Sequence, residues 1–297
     1  MTFFLQLVVS GVGLGMIYAL IALGFVIILK CSKAFNIAQG QFVMLGGYLG
    51  FTFLLNFHLP AWISLLAAIA IGVVLGLAIE RLALRPLVGQ SVLSVIMMTI
   101  ALSTVLEGVG VLIWGGIYEP YKGGLPTFSL PPVGGVSISP ETLDGIILSA
   151  IVVIALMGIF RYTKIGLAMR ATAEDEKVVQ SVGIKVTTVY AISWVIACVV
   201  GVVSGMLLYS ISGVQQTMSD IGLKAFAVVL LGGVDSIGGA IIAGIILGIL
   251  ENVAPGYLDP LLPSGGGLAN VFPFIVMIVV LIFKPHGLFG TARIERI

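Results

Sequence analysis

The chain has 297 residues, of which 59% are hydrophobic and 9% charged, with 39 glycines and a net charge of +1. A soluble domain carries about 25% charged residues, so these charges could not cover a globule in water, and lipid must be the solvent. The glycine content agrees with transmembrane helices, and a net charge so near zero gives nucleic acid nothing to bind.

No Asp, Glu, Lys or Arg precedes Lys30, and none falls between Lys33 and Glu80. A helix rises about 1.5 Å per residue and needs about 20 apolar residues to span a bilayer. The first run predicts one span over 3–29. With no basic residue ahead of it, this run is expected to stay as a helix rather than leave as a signal peptide. Residues 34–79 are long enough for two more, at 36–57 and 61–79, parted by Pro60. Further spans are expected at 92–115, 142–160, 187–212 and 271–283. The fold class is all-α: a polytopic integral membrane protein of about seven to eight transmembrane helices, forming one transmembrane domain over 1–297.

Orientation follows from Lys and Arg, which accumulate in cytoplasmic loops. With the N-terminus outside, Lys30, Lys33, Arg81, Arg85, Arg161, Lys164, Arg170, Lys177 and Lys185 fall inside, and only Lys122 and Lys224 fall outside. The segment 225–250 decides the tail. A single crossing leaves Lys284, Arg293 and Arg296 outside, whereas a dip that returns puts them inside. Its middle, LLGGVDSIGG, sets Gly232, Gly233, Gly238 and Gly239 around Asp235. Irregular backbone at membrane depth requires cover from protein or a water-filled cavity. A re-entrant pair of half-helices is therefore expected near 225–250, with loop 252–270 external and tail 284–297 internal. One Gly-kinked helix is the alternative.

The sequence offers no active site. There is no G-x-x-x-x-G-K-[ST] for a nucleotide, and His58 and His286 are too far apart for a histidine metal site. No carboxylate pair is spaced for acid–base work, so neither enzymatic activity nor a cofactor is expected. Cys31 and Cys198 read as buried free thiols. Small residues at 11–15, at Gly72 and Gly76, and at Ser193, Ala197, Gly201 and Gly205 predict close helix contacts.

A carboxylate at membrane depth costs about 2.5–3.5 kcal/mol and is a functional candidate for that reason. Glu107 lies in the fourth span, and Thr99, Ser103 and Glu107 share one helix face. Such a stripe suits either the wall of an aqueous pathway or hydrogen bonding between helices. Asp235 is a pathway residue or a cap for backbone N–H groups freed by the hairpin. Asn36, Gln39 and Gln41, in NIAQGQ at the cytoplasmic start of the second span, line a pathway mouth or a helix contact.

The cytoplasmic segment 161–186 reads RYTKIGLAMRATAEDEKVVQSVGIKV. Its core, about 173–182, predicts a short capped helix. Thr172 and Asp175 form a near capping box, Glu174 and Glu176 place acid in the first turn, and Gly183 stands at C′. Val178, Val179 and Val182 make a small apolar face. Such a helix either docks into a groove of a soluble partner or lies on the protein's own inner face.

Taken in order, GMIYALIALGFVII, NIAQGQFVMLGGY, ERLALRPL, TKIGLAMRATAEDEKVVQSVGI and KAFAVVLLGGVDSIGGAIIAGIILGILE resemble the branched-chain amino acid ABC transporter permeases, in particular the H-type subunit, from about Gly11 to Pro285. Gln39 departs from the family's N-x-A-x-G motif, where His is commoner. The resemblance implies a bacterial importer in the inner membrane: this permease with a homologous M-type subunit, two cytoplasmic ATP-binding subunits, and a periplasmic binding protein delivering leucine, isoleucine or valine. It further implies that 161–186 is the coupling loop. Arg170, Thr172, Glu174, Asp175, Val178, Val182 and Gly183 would then belong to the helix that seats in a cleft of the ATPase. Similar systems carry urea, short amides or other amino acids. A stand-alone secondary transporter, with its site between broken helices, is the competing class.

Overall fold

The structure, a computed structural model, describes residues 2–116, 118–123, 138–262 and 266–290. Most of the 116–141 connection and the tail from 291, with Arg293 and Arg296, lie outside the described residues. α1 runs Thr2–Ser32 and α2 Gln39–Phe51, the latter continuing as a π-helical turn at Thr52–Asn56. α3 is Ala61–Ile79, followed by a π-helical turn at Glu80–Leu84, then α4 Val92–Trp114 and α5 Pro140–Tyr162. Segment 161–186 forms α6, Lys164–Glu174, and α7, Glu176–Ser181. α8 Val186–Ser212, α9 Ile221–Gly232, α10 Ile237–Leu258 and α11 Leu268–Phe283 complete the chain. Among the described residues, six of these helices are long and apolar enough to cross a membrane, and α11 is a shorter apolar helix.

The helix ends follow local chemistry. Pro60, extended at ψ 145°, stands at the start of α3. Ser91 accepts the Ser94 N–H at the start of α4, and Gly115, at φ 75°, closes its other end, as a residue in the left-handed region commonly does.

Segment 225–250 breaks where expected but not into equal halves. Gly233 takes φ +100°, and Ser236 caps α10 by accepting the Gly239 N–H at 2.9 Å. α9 has 12 residues, whereas α10 has 22 and runs through Pro255 to Leu258. At about 1.5 Å per residue α10 is about 33 Å long, enough for a complete crossing. Its extra length is supported by α1. Gly11 lies against Gly248 and Ile249, and Gly15 against Gly244 and Ile245, so that any side chain at either glycine would strike backbone.

The chain divides into two compact units: Met1–Val26, Thr127–Ala150 and Leu223–Ile297 in one, and Ile27–Pro126 with Ile151–Gly222 in the other. In the first, the glycine contacts set α10 antiparallel to the first half of α1, so the turn at 233–236 lies toward the end of α1 that leads to Lys30. The backbone N–H groups of Leu288 and Phe289 donate to the carbonyls of Leu231 and Gly232. The chain after α11 thus satisfies orphan carbonyls at the end of α9.

In the second unit α8 carries the packing. Gly201 and Gly205 let α2 approach at Phe42 and Val43, and Gly72 and Gly76 bring α3 against Val199 and Val195. Leu49, Ala68, Val202 and Met206 form a core there, flanked by Phe53, Leu65, Ile71 and Trp114. Cys31 and Cys198 are buried free thiols.

Candidate functional site

The connection between α1 and α2 and the 3-10 turn Gln216–Asp220 both reach one face of α4. Thr99 is fully buried about two turns into that helix. Its hydroxyl accepts the Ile37 N–H at 3.3 Å, and its proton is shared between the carbonyls of Ile96, at 2.8 Å, and Phe35, at 3.3 Å. Further along the same face, the Glu107 carboxylate accepts Nε2 of Gln216 at 2.8 Å. Ser103, between them, donates to the Ile100 carbonyl of its own helix at 2.7 Å. Two members of the stripe read from the sequence make contacts: Thr99 holds the chain at 35–37, and Glu107 holds Gln216 of the 3-10 turn that leads into α9. The first turn of α2 packs against that 3-10 turn and the start of α9, with Gly40 against Ser219 and Gly222.

Asn36 and Gln39 are both buried and spend their polar groups inside the protein. Asn36 donates to Gln39 Oε1 at 3.1 Å and accepts the Ala38 N–H at 3.1 Å, and Gln39 donates to the Ala197 carbonyl of α8 at 3.2 Å. Gln41 differs. It is half-buried, and its Oε1 is shielded from solvent without a hydrogen bond among the described residues. Asp235 is exposed in the α9–α10 turn, and the capping role considered for it belongs to Ser236.

In segment 161–186 the helix expected at about 173–182 is the shorter α7, and a separate helix, α6, precedes it, capped by Thr163, which accepts the Gly166 N–H at 3.1 Å. Thr172 is consequently inside α6, buried, with its hydroxyl on the Ala168 carbonyl at 2.8 Å, and it caps nothing. Asp175 is the cap of α7, accepting the Val178 N–H at 3.2 Å. Exposed Glu174 closes α6. Gly183, at φ +88°, donates to the Gln180 carbonyl and Ile184 donates to that of Val179. These are the paired bonds of a Schellman end.

The segment is tied down on one side. The Arg170 guanidinium lies over the Phe160 ring at 5.6 Å and donates to the Phe160 carbonyl, and Lys30 stands over the same ring at 5.5 Å. Glu176 accepts the Tyr190 hydroxyl at 3.1 Å, and Val179 is buried. On the other side Val178 and Val182 are 57% and 74% exposed. The apolar face expected from three valines is a bare face of two, with the third as its anchor.

One pair escaped the sequence reading. Lys224 of α9 lies 2.6 Å from Glu251 of α10 and also donates to the Ala269 carbonyl at 3.2 Å. Glu251 is 6% exposed and also faces the fully buried Tyr18. Lys224 was expected in an external loop. The available signal was that two opposite charges bracket the apolar stretch between them.

The fold and site define a polytopic helical protein that carries, between two of its spans, an anchored short helix bare on one face. The chain belongs to the family described as branched-chain amino acid transport system / permease component, whose pattern matches residues 7–281. It is 32% identical to the high-affinity branched-chain amino acid transport system permease protein LivH of Escherichia coli K12, over 99% of this chain and 98% of that protein. It is 30% identical to the corresponding permease protein BraD of Pseudomonas aeruginosa, over 99% and 98%. It is also 30% identical to a probable LivH of Methanocaldococcus jannaschii, over 91% and 88%.

Proposed function

We propose that this chain is the transmembrane permease subunit of a bacterial ABC importer for branched-chain amino acids, leucine, isoleucine or valine, in the inner membrane. It works as a single permease domain beside a homologous second permease, with two cytoplasmic ATP-binding subunits and a periplasmic binding protein. ATP hydrolysis belongs to those partners. The observation that carries this reading is α7: capped at both ends, tethered through Glu176 and Val179, and bare at Val178 and Val182. A helix that only covered its own protein would turn those valines inward. The names of the relatives supply the substrate class.

Reconstituted with these partners in proteoliposomes, the chain is expected to support leucine uptake that needs both ATP and the binding protein. Uptake by this chain alone on an ion gradient would overturn the reading. Gln41, Ser103 and Glu107 are assigned to the translocation pathway, and Thr99, buried with its hydroxyl satisfied inside the protein, to the helix contact. In the same assay Glu107→Gln should alter the uptake rate in a fully assembled complex, and an unchanged rate removes Glu107 from the pathway.

The orientation proposed is N-terminus outside and C-terminus inside. It is supported by the course of α10 along α1, which carries Tyr257 back to Phe3 near the N-terminal end. Cys31 and Cys198 are buried, so an impermeant thiol reagent reads introduced cysteines. Leu261→Cys should label in intact cells and Lys284→Cys only after the membrane is opened. Labelling of the second in intact cells reverses the assignment of the tail.

A further inference from the structure

A cavity of about 290 Å³ lies in the second unit, bounded by the end of α1, the turns after α3, and the starts of α4, α7 and α8. No step of transport proposed above uses it. Its most unusual wall is Glu80, the first residue after α3. This side chain is 6% exposed, and among the described residues it has neither a hydrogen bond nor an ion pair. A carboxylate that lines a cavity without a protein partner suits a cationic or N–H-donating guest, which would form a charge-assisted bond there. The other acid on the wall, Glu176, is already satisfied by Tyr190 and Gln180.

The remaining lining narrows the guest. Lys33 and Arg85 are exposed and line the same space, supplying positive charge for an anionic group. Lys33 holds φ +54°, uncommon for a residue with a side chain. Leu84, Val95 and the buried Trp194 supply apolar surface. A bare metal ion does not suit one free carboxylate facing two cations. A simple anion would leave Glu80 unpaired. The volume is at the low end for small-molecule sites, which excludes a nucleotide.

We infer that this cavity binds a free aliphatic α-amino acid, its ammonium on Glu80, its carboxylate toward Lys33 and Arg85, and its side chain against Leu84, Val95 and Trp194. The inference rests on the proposed reading for one point, that this end of the protein faces the cytoplasm. The guest would then be the imported product itself. Because Glu176 and Tyr190 form part of the wall, the occupied cavity stiffens the tether of α7. A ligand shifts a protein toward the state it binds better. Product bound here holds α7 in one position and slows further uptake.

Two measurements test this. Radiolabelled L-leucine should bind the full-length permease in its native assembly, purified without the binding protein and without ATP. Glu80→Gln should weaken that binding at least tenfold. Arg85→Gln, at an exposed position where folding is not at risk, should weaken it several-fold. Leucinol, lacking the carboxylate, and 4-methylpentanoate, lacking the ammonium, should fail to compete. In proteoliposomes, L-leucine on the cytoplasmic side should slow ATP-driven uptake in the wild type but not in Glu80→Gln. Leucine binding unchanged in both variants overturns the site. So does displacement of leucine by vesicles of phosphatidylethanolamine, because the cavity then holds an aminophospholipid headgroup. Failure of the importer reading looks different: ATP-dependent uptake is absent while Glu80-dependent leucine binding persists.

Discussion

Val178→Asp combined with Val182→Asp should give a stably inserted permease that no longer retains its ATPase subunits on purification and no longer takes up substrate. Both positions are exposed, so the substitutions disturb no packing within the chain. Burying each valine in a partner's groove is worth about 1.5–3 kcal/mol, and replacing both puts two carboxylates into an apolar contact, a penalty of several kcal/mol unless they find partners. Loss of both contacts exceeds the 1.4 kcal/mol or so that corresponds to a tenfold change in affinity. Val179→Ala provides the contrast, since that side chain is buried against the protein and its loss loosens the tether without adding charge. Gly183→Val should do part of the same damage, because φ +88° at the end of α7 suits glycine and opposes a β-branched residue. Full uptake by the doubly charged variant with no ATPase bound would mean that α7 is not the coupling contact.

Glu251→Gln or Lys224→Met should each cost about 3–5 kcal/mol, the usual consequence of removing one partner from a buried pair. The expected readout is poor assembly and early thermal unfolding of the purified permease. The geometry explains the size of the effect: the pair is 2.6 Å apart, and the side chains are 17% and 5% exposed for Lys224 and Glu251. Lys224 also holds the Ala269 carbonyl at the start of α11, so one cation ties three helices. The double variant Lys224→Met with Glu251→Leu should recover most of the loss, because apolar residues of similar volume commonly replace a buried pair without penalty. If each single variant is as stable as the wild type, the pair has no structural weight, and the unequal arms of the hairpin need another explanation.

The spans and the short helix in 161–186 were legible because their signals are local. Runs of apolar residues without charge locate α1, α3, α4, α5 and α8 to within a few residues, since crossing a bilayer demands length and hydropathy in one continuous stretch. Gly183 was readable for the same reason: a helix end needs a left-handed residue next to it in sequence. Thr172 was misread as part of a cap because Thr163 had already started the helix, so a hydroxyl inside α6 turned back onto its own carbonyl.

What the sequence by itself determined is a many-spanned helical permease, its glycine-lined contacts, and a short helix in 161–186 with an apolar face of valines. Only the tertiary structure decided the fate of the polar residues. Asn36 and Gln39 look equally ready for a pathway, but Gln39 finds its acceptor at Ala197, 158 residues away, and only Gln41 is left over. Glu107 meets Gln216 across 109 residues, and Glu80 meets no partner at all among the described residues. Hydropathy is a property of a stretch of chain, whereas satisfying a buried polar group depends on which distant segment folds against it.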